Sequence, residues 1–224
     1  QWRSQPLAGA DLLVLAGDIG SYQKGSLLTG PDFGLERFSP CNGWPTPVVF
    51  VPGNHEYDAQ DFDAAQERLR ATCERLGLIW LERASVQLAG VRFIGTTLWT
   101  DFDVLGPSVD GVPAPPPAIG PPLRQAIQRI TEQTSNLLTR QLKAREQAFR
   151  AANFYLRKTQ TTRHGQPLLA QDVRVLGLEC QEWLRAALAQ PFAGPTVVVT
   201  HFAPSLHSAD PRYGHTPGTA GFCN

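Results

Sequence analysis

Hydrophobic positions along this chain follow two spacings, and the change from one to the other marks its elements. Leu12–Ala16 is a continuous apolar run ending in Gly17-Asp18, which predicts a buried strand running into a turn. Val48–Val51 repeats the pattern and stops at Pro52-Gly53. Residues 20–47 between them, with Pro40, Pro45 and Pro47 as breakers, read mostly as loop. Phe62, Ala65, Leu69, Cys73 and Leu76 then recur at three- and four-residue spacing, which predicts an amphipathic helix over Gln60–Leu76. Asp58 or Asp61 suits its start and Gly77 its end. Short strands are expected at Ile79–Leu81, Ser85–Leu88 and Val91–Ile94, the last two joined by Ala89-Gly90, the length of a hairpin turn.

Seven prolines between Leu105 and Pro122 forbid sheet or helix interior and predict a mobile, partly extended surface loop. A long helix is expected over Leu123–Leu156, a polar break over Thr159–Gln166, a further helix over Leu178–Ala189 and a final strand over Val197–Thr200. Strands at both ends, helices between them and a central hairpin predict a single α/β domain with a mixed sheet flanked by helices, in which the proline-rich loop and long helix (105–165) form one insertion.

Composition narrows the function classes. The 224 residues carry 20 basic and 20 acidic side chains, so no positive surplus draws the chain to nucleic acid or a membrane surface. No apolar run approaches membrane-spanning length and no secretory signal is visible. The four cysteines are scattered without a Cys-x-x-Cys pair, which argues against a cysteine-rich zinc site and for reduced thiols in a cytoplasmic protein. The chain starts at Gln1 and contains no methionine, so it reads as processed or as a fragment.

The candidate chemistry lies where apolar strands end. Asp18, the pair Asn54-His55 and His201 each follow such a run, and in open α/β sheets the carboxyl ends of strands gather at one edge where ligands bind. Carboxylate oxygen, amide oxygen and imidazole nitrogen together suit zinc, manganese or iron. Taken singly, Asp18 and Asn54 are ordinary turn residues and His201 an ordinary core histidine; the joint pattern carries the reading.

The strings LLVLAGDIG, VVFVPGNHEYD and VVVTHFAPS resemble the central motifs of the calcineurin-like metallophosphoesterases, and FIGTTLWTDF resembles the strand and loop of bacterial members. The resemblance spans residues 11–102 and 174–224 and implies a metallophosphoesterase-like sandwich. It implies two divalent or trivalent ions (Mn, Fe or Zn), bridged by Asp18, with Asn54 and His201 as further metal ligands on one of them. It also implies that His55 acts catalytically at the leaving group, outside the metal shell, while hydroxide activated by the metals attacks a phosphate mono- or diester. Glu56 would orient His55 or a metal ligand.

Two parts of the family pattern have no counterpart. No Asp-x-His precedes Asp18, and Gly214-His215-Thr216-Pro217 carries proline where the family's Gly-His-x-His has its second histidine, so His215 reads as a loop residue. By this count one ion keeps three ligands and the other keeps Asp18 alone, so the chain as it stands is expected to be a poor enzyme although its parent is one. His164 reads as solvated surface, and His207 as surface or as an approach to the site. Trp99 and Asp101 read as cleft rim or as a buried tryptophan beside a capping aspartate. The rival classes are a non-catalytic scaffold of the same fold and, last, a metal-free hydrolase, for which no Gly-x-Ser-x-Gly elbow is present.

Overall fold

The computed structural model describes residues 5–28, 30–107 and 121–224. It is a mixed α/β structure with three α-helices and three small sheets among these residues. Strand β1 (Leu13–Ala16), β2 (Val48–Val51) and β3 (Ile79–Trp80) form a parallel sheet in that order. Strand β4 (Ala84–Leu88) pairs antiparallel with β5 (Val91–Thr96), which pairs parallel with β8 (Thr196–Thr200). Register places Leu13 opposite Val48 and Ala16 opposite Val51, so β1 and β2 end level with each other. Thr96 likewise lies opposite Thr200.

Strand β2 is buried on both faces, as its unbroken apolar run requires. Val48 and Phe50 face helix α1 (Phe62–Leu76), in a cluster with Leu15, Leu69, Cys73 and Leu76. Val49 and Val51 point the other way, into a cluster with Phe93 of β5 and Val199 of β8. One strand therefore ties the helix to both larger sheets. Asp61, not Asp58, caps α1: its carboxylate accepts from Ala64 N at 3.2 Å.

Three elements differ from the pattern-based expectation. Helix α2 runs Pro121–Thr159, and α3 runs Ala170–Ala189, starting eight residues before the apolar spacing indicated. Its first turn is held by Asp172, whose carboxylate accepts from Leu169 N at 3.1 Å. The expected polar break contains a hairpin, β6 (Thr162–Arg163) and β7 (Gln166–Pro167), turning at His164-Gly165. Most of the proline-rich loop lies outside the described residues. The second half of α2 does not stand apart as an appendage: Ala148, Phe149, Ala152 and Leu156 pack with Trp99, Phe102, Val173 and Phe202 in a third cluster. No helix among the described residues is long and apolar enough to cross a membrane.

A candidate metal centre at three strand ends

The loop leaving β1 is set by backbone conformation. Gly17 has φ +86° and Asp18 φ +56°, two successive left-handed residues, a conformation that costs an L-residue roughly 1–2 kcal/mol. Glu56 offsets that cost. Its carboxylate is fully buried and accepts four backbone N–H groups: Ile19 at 2.6 Å, Gly53 at 2.7 Å, Asp18 at 3.0 Å and Gly20 at 3.2 Å. Burial raises the Glu56 pKa above the usual carboxylate range, against the pull of these donors. Glu56 thus clips the loop after β1 to the loop after β2, and its carboxylate is spent on backbone. It orients Asp18 through the main chain, and His55 is held by a different acid.

The two loops meet at van der Waals contact. A Cβ on Gly17 would lie 2.5 Å from Gly53 N and 2.5 Å from His201 Nδ1; one on Gly53 would strike the Asp18 carboxylate and come within 2.7 Å of His201 Cε1. Only glycine fits at either position. The sequence signal for this was the Gly-Asp and Gly-Asn dipeptides at the strand ends.

Asp18, Asn54 and His201 meet here. His201 Nδ1 is 2.8 Å from the Ala16 carbonyl, so Nδ1 carries the proton and Nε2 presents its lone pair. That nitrogen faces Asn54 Oδ1 at 3.1 Å and Asp18 Oδ1 at 3.6 Å. A lone pair on Nε2 facing two oxygen acceptors is unfavourable, and a cation among them would remove the conflict. Two donors bound about 2.1 Å from one ion stand roughly 3.0–3.4 Å apart; the His201–Asn54 separation lies in that range and the His201–Asp18 separation just outside it. Asp18 Oδ1 also accepts from His55 N at 3.0 Å, which fixes its rotamer. Among the described residues no group of three or more His, Cys, Asp or Glu side chains is arranged to hold a metal. The present cluster has two such residues and takes its third donor from an amide. For a second ion the described residues offer Asp18 alone.

His55 stands beside this centre. Its Nδ1 is 2.7 Å from Asp58 Oδ2, which also accepts the Ser21 hydroxyl at 2.7 Å. Asp58 is fully buried; both of these bonds fall on Oδ2, and its Oδ1 has no hydrogen-bond partner among the described residues. The hydrogen bond to Asp58 raises the His55 pKa, opposed by desolvation and aided by the Asp18, Asp58 and Glu56 charges. Asp58 is the functional candidate missed in the sequence. The signal was its spacing: His55–Tyr57 form one 3-10 turn, and residues three apart on such a turn share a side.

The four side chains open onto a cleft of about 700 Å³, walled further by Phe202, Ala203, Gly218 and Phe222. His207, His215 and His164 are exposed, and none lines this cleft. Asp101 has a structural role, accepting from Asp103 N at 2.8 Å and from Gln181 Nε2 at 2.8 Å. Trp99 is buried and lines a cavity together with Asn54 and His55. All four cysteines are free; burial pushes the Cys73 thiol up to about 12 and the Cys180 thiol to about 11, so neither supplies a thiolate nucleophile at neutral pH.

No family model, no curated protein and no solved structure matches this chain.

Proposed function

We propose that this chain carries the core of a metal-dependent phosphoesterase of the calcineurin-like type, acting on a phosphate mono- or diester in the cytoplasm. The reading rests on one observation: Asp18, Asn54 and His201, distant in sequence, come together with His201 Nε2 at 3.1 Å from Asn54 Oδ1 and 3.6 Å from Asp18 Oδ1, beside a half-exposed His55 held by the buried Asp58. The core shared by β2, β5 and β8 supports a sandwich of the two larger sheets, as that family has.

Asp18, Asn54 and His201 would hold an ion, with Asp18 shared if a second is present. Such an ion would supply Lewis acidity there, for acidifying water and neutralising phosphoryl oxygens. The remaining work falls to side chains. The Ala16 carbonyl keeps the His201 proton on Nδ1 and so keeps Nε2 available. The His55 N–H aims the Asp18 carboxylate. Asp58 holds His55 by Nδ1, so Nε2 is the atom that delivers a proton to the departing oxygen, and the carboxylate favours the protonated ring that a general acid requires.

The test is hydrolysis of p-nitrophenyl phosphate and bis(p-nitrophenyl) phosphate with added Mn²⁺ or Zn²⁺. Turnover should depend on the metal, stop with EDTA, and vanish in Asp18→Ala. Turnover that survives Asp18→Ala, or metal binding that Asp18→Ala leaves unchanged, would end the proposal.

A further inference from the structure

Beside the polar centre lies a second cavity of a different character. It is an open pocket of about 170 Å³ lined by Trp99, Phe102, Phe202, Leu156 and Val173, with Asn54 and His55 also on its wall. Both residues also line the larger cleft, as do Tyr155, Phe202, Gly218 and Phe222, so the two spaces are continuous through them. The floor is fixed. Trp99, Phe102, Val173 and Phe202 are all buried, and Trp99 packs against Phe202 at 5.5 Å and Tyr57 at 6.0 Å between ring centroids. The Thr159 hydroxyl on its wall is committed to the Leu156 carbonyl at 2.8 Å. At the lip, Tyr155 and Phe222 leave more than half their surface exposed, at 56% and 57%.

We infer that this pocket receives the leaving group of the phosphoester, and that this group carries a single aromatic ring. The inference rests on the phosphoesterase reading and specifies its substrate class. Size selects the occupant: an apolar cavity of about 150 Å³ takes up one benzene ring, and aromatic walls favour edge-to-face packing with it. Position assigns the role. A ring held between Trp99 and Val173 places its link to phosphorus between the apolar pocket and the Asp18–Asn54–His201 centre, with His55 at the junction. That is where a proton donor to the leaving oxygen belongs. The wall formed by Ala152, Tyr155 and Leu156 gives α2 a part in specificity.

Benzylphosphonate and ethylphosphonate carry the same phosphonate on different tails and are not hydrolysed, so their binding isolates the pocket from turnover. Calorimetric titration of the Mn²⁺-loaded protein should show benzylphosphonate binding about 10- to 100-fold tighter, the gain from burying one ring. Ala152→Phe and Val173→Phe fill the pocket from α2 and α3 respectively and should bring the ratio close to one, with circular dichroism confirming the fold. Equal metal-dependent affinities in the unmodified protein, or a preference that survives in both folded variants, overturn the ring pocket alone. Indifference of both phosphonates to EDTA overturns the phosphoesterase reading beneath it.

Discussion

Glu56→Gln changes one buried atom, and its consequence follows from the four N–H groups on that carboxylate. Oε1 accepts from Ile19 and Gly20, and Oε2 from Asp18 and Gly53. In glutamine one oxygen becomes an NH₂ group, which turns donors toward two donors whichever way the amide is placed. Each buried N–H left without an acceptor costs about 1–3 kcal/mol, so the pair costs about 2–6 kcal/mol. The neutral side chain recovers part of this, since burial already disfavours the charge. A net loss of about 2–3 kcal/mol is expected, a large fraction of the roughly 5–15 kcal/mol that holds a domain folded. In urea, with a slope of about 2–3 kcal/mol/M, the midpoint should fall by about 1 M. Metal affinity should fall with it, because Asp18 keeps its left-handed conformation only while its N–H is held. A midpoint within about 0.2 M of the unmodified protein, with metal binding intact, would refute the clip.

Other consequences concern the same site. Gly53→Ala should empty the metal centre and destabilise the fold by about 1–3 kcal/mol, since its Cβ displaces Asp18 and His201; elemental analysis and thermal unfolding check both. In the full-length protein His55→Ala should retain metal while turnover falls about 10²- to 10⁴-fold, and equal loss of metal and turnover would contradict its place outside the metal shell. Gly177→Ala should destabilise by about 1–2 kcal/mol in thermal melts. The roughly 1 kcal/mol gained in helix propensity is outweighed because the new Cβ meets Trp99 O at 2.5 Å and Thr100 O at 2.6 Å.

The strands and the three converging side chains were legible because each strand is an uninterrupted apolar run that ends at its polar residue; burial on both faces explains that run in β2 alone, since β1 and β8 leave Val14, Val197 and Val198 exposed. Val48–Val51 is found where its pattern put it, with all four residues buried. The start of α3 was not legible. Its flanking Leu169 has no capping side chain of its own, and Gly177, required where the helix touches Trp99 and Thr100, interrupts the helical signal. The Glu56 clip was hidden for another reason: it is a contact from one loop to another 36–38 residues away, and neither spacing nor propensity encodes that. The aromatic pocket was hidden likewise, because its walls come from α2, α3 and the segments after β5 and β8, and only packing brings them together.

The central claim is that Asp18, Asn54 and His201 serve one ion. Calorimetric titration of the metal-free protein with Mn²⁺ or Zn²⁺ addresses it directly, alongside Asp18→Ala, Asn54→Ala and His201→Ala. Saturable binding in the unmodified protein, weakened at least tenfold by each substitution, is the predicted result. An affinity unchanged by all three would show that the meeting of these side chains has nothing to do with metal.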